Sequence, residues 1–350
     1  MSNLMGYRST AAIFIALFTV FRPAFAGTDA AAFLNTGVGA RALSMGSAFV
    51  SVCDDSSAMY WNPAGLARIN KFSITTMGQS LGSTSWDTLP DITPKYQFMG
   101  ITIPVNSPKS WLDKSTFGVG MINSGLDNVT YSYLDTTGKI VRDSFQDTEN
   151  GYLFSWGLPV ITAGNSIYAG VTLKYITEDF SKIAGASAKG YDADFGLLYT
   201  AGASSIGLLI ERGASVAWSN GRVDSAGLMT KLGVSNNFGL SRYLSLLGSF
   251  DVVQRKDEPM MANLGGELGY EKKIGNKNSI LFEGIFLRAG LQGYAMEDRN
   301  NSASDLNSNI NYTAGVGLDM SFWGYYLQFD YGMGSYSLGN QNRISVSLYF

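Results

Sequence analysis

The chemistry open to this chain is bounded first by a side chain it lacks: there is no histidine. Ser-His-Asp triads, Cys-His pairs and most zinc sites need that ring. Any enzyme here would have to work with carboxylates or lysine alone, and no arrangement of them reads as catalytic, cofactor-binding or metal-ligating. The expectation is a non-enzyme without cofactor or metal. Cys53 is the single cysteine, so no intramolecular disulfide can form, and it reads as a small buried hydrophobe. Asp54 and Asp55 could hold a cation. Placed just before Ala58–Trp61, they read better as a helix-capping pair near a positive dipole end, with Asp55 or Ser56 as the cap. Pro63 then takes Asn62 out of the α region, and Gly65, after Ala64, permits a sharp exit.

The elements that would position these groups are strands. Charged residues make up 15% of the chain, against roughly 25% in soluble domains, while glycine and aromatics are plentiful. The formal charge is -3, so there is no basic footprint for nucleic acid. Residues 1–26 read as a signal peptide: Arg8 is the positive start, Ala11 to Phe21 the apolar core, and Ala24-Phe25-Ala26 precede a cut at Gly27. That core is shorter than the roughly 20 residues of a membrane helix. Residues 27–69 are rich in small residues, and 70–350 carry the strand pattern.

The last stretch shows the pattern most clearly. Ile344, Val346, Leu348 and Phe350 alternate with Arg343, Ser345, Ser347 and Tyr349, the period of a strand. Tyr312 to Met320 and Trp323 to Tyr331 behave alike, with glycines such as Gly315, Gly317, Gly332 and Gly334 on the polar face. About 14 strands fit, near 71–81, 95–105, 115–126, 150–161, 165–178, 190–201, 205–218, 228–238, 243–255, 261–273, 278–293, 309–321, 323–335 and 342–350. Most are long enough to cross a bilayer at a tilt, and long connections alternate with short ones. Strand 278–293 loses phase, which a β-bulge near Gly284 would explain. The fold expected is all-β: a transmembrane antiparallel β-barrel with its apolar face toward outer-membrane lipid and both ends in the periplasm.

Gly37-Val38-Gly39-Ala40-Arg41-Ala42-Leu43-Ser44-Met45-Gly46-Ser47-Ala48-Phe49-Val50, then Asp54-Asp55 and Tyr60-Trp61-Asn62-Pro63-Ala64-Gly65-Leu66, resembles the N-terminal signature of the PorV/PorQ proteins, within the wider FadL-like outer-membrane group. Ser44 and Ser47 stand where glycine is commoner, and Cys53 replaces a small residue. The resemblance implies a bacterial outer-membrane barrel of 14 strands whose lumen is plugged by residues 27–69. It implies a secretion-system (type IX) component binding exported cargo or machinery at the cell surface, or a FadL-like channel for hydrophobic small molecules such as long-chain fatty acids. On this reading Asp54, Asp55, Asn62, Pro63, Ala64 and Gly65 are candidate plug or gate residues. A fixed exit into the first strand is the simpler reading of the last four.

Pro104 and Pro159 fall inside expected strands, where proline removes a ladder donor. Pro104 reads as a strand end. Pro159 is either that or a kink of the kind that opens a lateral exit in FadL-like barrels. The longest connection, 127–149, reads as a hairpin outside the membrane, and its Tyr131, Tyr133 and Phe145 suit either a partner surface or packing of the loop on itself.

Overall fold

Side chains that alternate along an extended backbone point to opposite faces, and here those faces become the outside and inside of one closed wall. The computed structural model describes residues 30–350 apart from 82–92, 108–111, 135, 163, 182–185, 257, 275–280, 296–309 and 337–338. The expected signal peptide lies outside the described residues. The strands are β1 (Ser73–Leu81), β2 (Thr93–Pro104), β3 (Thr116–Leu134), β4 (Ile140–Ile161), β5 (Ser166–Phe180), β6 (Ser187–Ala201), β7 (Ser204–Glu211), β8 (Ser215–Trp218), β9 (Val223–Ser225), β10 (Met229–Gly239), β11 (Leu244–Arg255), β12 (Met261–Ile274), β13 (Leu281–Ala295), β14 (Asn311–Phe322), β15 (Tyr325–Tyr336) and β16 (Gly339–Tyr349).

All pairings are antiparallel, and β1 meets β16 from Ser73 opposite Tyr349 to Leu81 opposite Gln341. β8 prolongs β7 and β9 leads into β10, so the wall has 14 strands. Closure leaves no sheet edge, as a hydrocarbon surrounding demands. The polarity is that of a lipid-facing barrel. Phe154, Leu264, Leu287 and Tyr312 are exposed, whereas Lys174, Asp194, Asp251, Arg288 and Arg343 are buried. A soluble domain does the reverse.

Three details depart from the sequence reading or extend it. β3 and β4 run 19 and 22 residues, beyond the roughly 9–11 needed to span, so the 127–149 connection is largely a continuation of this pair. Trp323 belongs to the turn before β15, with Gly324: their φ values are 48° and 90°, the pair of positive angles a two-residue hairpin requires. The pairing of β13 with β14 shifts between Phe282 and Gly284, which restores the phase lost there.

Residues 30–69 fold inside the wall. Short helical turns, Ala32–Thr36, Ala40–Ser44, Ala58–Trp61 and Pro63–Arg68, alternate with bends at Gly37, Gly39 and Gly46, all at positive φ. Phe49, Met59, Trp61 and Leu66 pack with Phe98, Ile122, Leu153 and Ile176 of the wall into one buried cluster. The apolar core is therefore the joint between this inner segment and the barrel. Two inward glycines make the joint close. A Cβ at Gly332 would lie 2.5 Å from the Ala40 carbonyl oxygen, and one at Gly315 would lie 2.9 Å from Ser44 Oγ. Gly317 and Gly334 are covered instead by wall side chains, Arg288 and Tyr336.

Candidate functional site

Asn62-Pro63-Ala64-Gly65 is wholly buried. Asn62 is extended, at φ -171° and ψ 105°, as a residue before proline should be. Its Nδ2 donates to the Val50 and Leu197 carbonyls at 2.9 and 3.0 Å, and its Oδ1 accepts the Ala64 N–H at 3.1 Å. The side chain thus ties two turns of the inner segment to β6. Gly65 is not at positive φ; a Cβ there would lie 2.6 Å from Cys53 Sγ. Close approach requires the glycine, rather than the sharp exit expected. Burial pushes the Cys53 thiol pKa up, so it stays protonated and unreactive.

Asp54 and Asp55 do not cap the Ala58–Trp61 helix, whose N-cap is Ser57 without a side-chain bond. Asp55 Oδ1 accepts the Ser57 N–H at 2.7 Å, closing a turn one step too early to cap. Asp54 pairs with Arg41 Nη1 at 2.7 Å. Arg41 in turn grips Glu267 of β12 through Nε and Nη2 at 2.8 and 2.9 Å. Arg288 bridges Glu267 to Asp330. Sequence reading missed this network, although its wall members are charges at inward strand positions.

A second network was missed in the same way. Lys174 Nζ lies 3.1, 2.7 and 3.6 Å from Asp192, Asp194 and Glu211, and Lys231 lies 2.7 Å from Glu211. The three carboxylates sit close enough to share a metal ion, but the ammonium of Lys174 already stands among them as their cation. Other wall groups hold inner-segment backbone. Asp251 Oδ2 accepts the Phe49 and Val50 N–H groups at 2.8 and 3.0 Å. Thr172 Oγ1 donates to the Met59 carbonyl at 2.8 Å.

This arrangement divides the lumen. At the end of the barrel that carries the short turns and Phe350, the end expected to face the periplasm, a polar vestibule of about 670 Å³ is lined by Arg41, Asp54, Arg68, Glu271, Asp319 and Tyr349, among others. On the outer side are a chamber of about 300 Å³ beside Gln79, Tyr96 and Glu149 and one of about 150 Å³ beside Trp61, Lys231 and Arg255.

Pro159 lies two residues before the end of β4, at a register shift between Pro159 and Ile161. The larger break in the wall is elsewhere, at 212–214 between β7 and β8 and at 226–228 between β9 and β10. Gly213 has φ 94°, and a Cβ there would lie 2.7 Å from the Gly227 carbonyl oxygen. Sequence reading took 205–218 as one strand; Gly213 within it was the available signal.

Tyr131, Tyr133 and Phe145 come together. Tyr131 lies 5.9 Å from Tyr133 and 6.0 Å from Phe145, ring centre to ring centre. The row continues through Phe180 to Trp218, in steps of 6.2 and 6.0 Å. By the alternation that points Leu153 and Ile176 inward, Phe145 and Phe180 face the lumenal side of the extended wall.

No protein-family model matches the chain, and no curated protein matches it in sequence. Solved structures do match in shape. The toluene transporter TodX of P. putida is 12% identical, with TM-score 0.53 over 89% of this chain and 96% of that one. The Ralstonia pickettii toluene transporter TbuX is 12% identical, with TM-score 0.50 over 89% and 97%. The CymD monoaromatic hydrocarbon channel is 12% identical, with TM-score 0.51 over 90% and 97%. The likeness is one of fold: the chain is a closed β-barrel of the FadL-like kind, and its place is the bacterial outer membrane.

Proposed function

We propose that this chain is an uptake channel for hydrophobic small molecules, with residues 30–69 as a plug that keeps the lumen closed to ions. The observation that carries the reading is the division of the lumen by a packed plug into outer chambers and a periplasmic vestibule. An open porin has no such partition, whereas a channel for apolar solutes needs only a narrow or lateral path. The shape shared with two toluene transporters and a monoaromatic hydrocarbon channel supports the same reading. Its test is reconstitution of the mature protein in lipid vesicles with labelled toluene. Uptake above protein-free vesicles, with ion conductance near that of bare bilayers, is the expected result. Porin-like ion conductance, or toluene entry no faster than through lipid alone, refutes it.

A second reading, a PorV/PorQ-like component of type IX secretion, is favoured by the N-terminal signature and by the aromatic row on the wall extension. Tyr131, Tyr133 and Phe145 would then meet exported cargo or machinery. In a deletion strain this reading expects cargo retained in the periplasm. Normal release, with impaired growth on a hydrocarbon or a long-chain fatty acid, returns the function to uptake.

A further inference from the structure

Arg343 is the anomaly of the lumen. Its side chain is 1% exposed, yet among the described residues no carboxylate lies within ion-pairing distance of it. Its hydrogen bonds go to neutral acceptors: Nε to Gln79 Oε1 at 2.8 Å, and Nη2 to the Thr36 carbonyl at 2.7 Å and to Gln341 Oε1 at 3.5 Å. Nη1 has no acceptor, and the hydroxyl of buried Tyr96, whose ring lies 5.8 Å from the guanidinium carbon, has no partner. The other buried cations, Lys174, Lys231 and Arg288, all have carboxylates. A desolvated charge without a counter-charge is costly, and a chain keeps one at a place where a ligand supplies the opposite sign.

The partners of Arg343 border the 300 Å³ outer chamber, although Arg343 itself is not among the residues that line it. Thr36, Gln79 and Gln341, the three partners of Arg343, line that chamber together with Tyr96. Register puts Arg343, Gln79, Tyr96, Ser124 and Glu149 side by side at one level of the barrel. Asp147 and Glu149 line its far side, and Lys95 there is already paired with Asp127. We propose that this chamber binds a small carboxylate, with Arg343 as counter-ion and the Tyr96 hydroxyl as a second donor. The planar fork of a guanidinium matches a carboxylate edge. One negative charge balances one Arg343; a dianion would meet the acids opposite. Binding draws the guanidinium off the Thr36 carbonyl, so the ligand competes with the plug for the same side chain. Its role in entry rests on the uptake reading. It differs from the shape-matched channels in that the toluene two of them carry has no charge.

The test is calorimetry on the mature protein in detergent, with benzoate and its neutral near-isostere benzamide as probes. Benzoate should bind saturably and about tenfold or more tighter than benzamide. Arg343→Gln should erase that difference, and Tyr96→Phe should weaken benzoate several-fold. Should Arg343→Gln fail to give a heat-modifiable folded barrel, Arg343→Lys and Tyr96→Phe carry the test: the first keeps the preference, the second reduces it. Equal binding of the two probes, no saturable benzoate binding, or a preference that survives Arg343→Gln overturns the site. Toluene entering vesicles without any benzoate preference sinks the site alone. A benzoate preference without toluene entry sinks the uptake reading alone.

Discussion

Replacing Gly157 by alanine tests whether the plug is seated against the wall. Gly157 faces inward on β4, under the Pro63–Arg68 turn. A Cβ there would lie 2.6 Å from the Pro63 carbonyl oxygen, 2.8 Å from Leu66 Cβ and 2.9 Å from the Ala67 nitrogen. Two of these are backbone atoms that cannot rotate away. Reaching ordinary contact near 3.4 Å requires the turn to shift by about 0.5–0.8 Å, and overpacking of this kind costs about 1–3 kcal/mol. The gain from replacing a strand glycine offsets about 0.5–1 kcal/mol of that. A net loss of about 1–2 kcal/mol raises the unseated population roughly 5- to 30-fold. Hydrogen exchange of residues 62–69 in detergent reads this directly, and loss of the folded band on heating reads the barrel. Gly248→Ala is the control, because a Cβ there meets nothing within 4 Å. If Gly157→Ala exchanges no faster than Gly248→Ala in that window and melts at the same temperature, the plug is not seated as described.

Substitutions at three further sites probe this joint and the wall around it. Asp251→Ala strands the Phe49 and Val50 N–H groups that it now accepts; at about 1–3 kcal/mol for each buried unsatisfied group, those two amides should lose protection in exchange. Asp251→Asn, which keeps an acceptor, should lose less. Gly213→Ala forces a side chain into φ 94° against the Gly227 carbonyl oxygen and should lower barrel stability by about 1–3 kcal/mol, read by heat modifiability. Ser47 holds φ 60°, a region that costs an L-residue about 1–2 kcal/mol, so Ser47→Gly should be neutral or stabilising in the same assay.

The wall was legible in the sequence because its pattern is local. Tyr312, Val316 and Leu318 against Thr313, Gly315 and Asp319 state which side faces lipid wherever the strand sits in the barrel. The phase loss near Gly284 was legible for the same reason. The inward charges were visible singly, but their pairing was not. Arg41 meets Glu267 across 226 residues, and Lys174 meets Glu211 only because β5, β6 and β7 are neighbours. Asp54-Asp55 misled because a carboxylate pair before a helix looks like a cap until Arg41 arrives from another turn. Gly213 was hidden because glycine also stands inside unbroken strands, as Gly207 does in the same fourteen-residue run.

The packing of the inner segment also limits how the proposed channel can open. A ligand shifts an equilibrium only by its differential affinity for the two states, and moving from 1:99 to 99:1 takes about 5.5 kcal/mol. Expelling the whole plug would expose Phe49, Met59, Trp61 and Leu66, at most 3% exposed, each worth about 1.5–3 kcal/mol when buried. It would also strip Arg41 from Glu267 and Asn62 from Leu197. A small molecule cannot supply that. Opening must then be local. The stretch from Ala30 to Gly37 is the part within reach, because it buries only two large side chains, Phe33 and Leu34, and is held by the Tyr60 hydroxyl on the Leu34 carbonyl and by the grip of Arg343 on Thr36 and of Arg255 on Asn35. Tethering Thr36 to Gln79 by paired cysteines in the Cys53→Ala background should therefore block toluene entry when oxidised and restore it when reduced. Unchanged entry in the oxidised protein would mean that the path avoids this end of the plug.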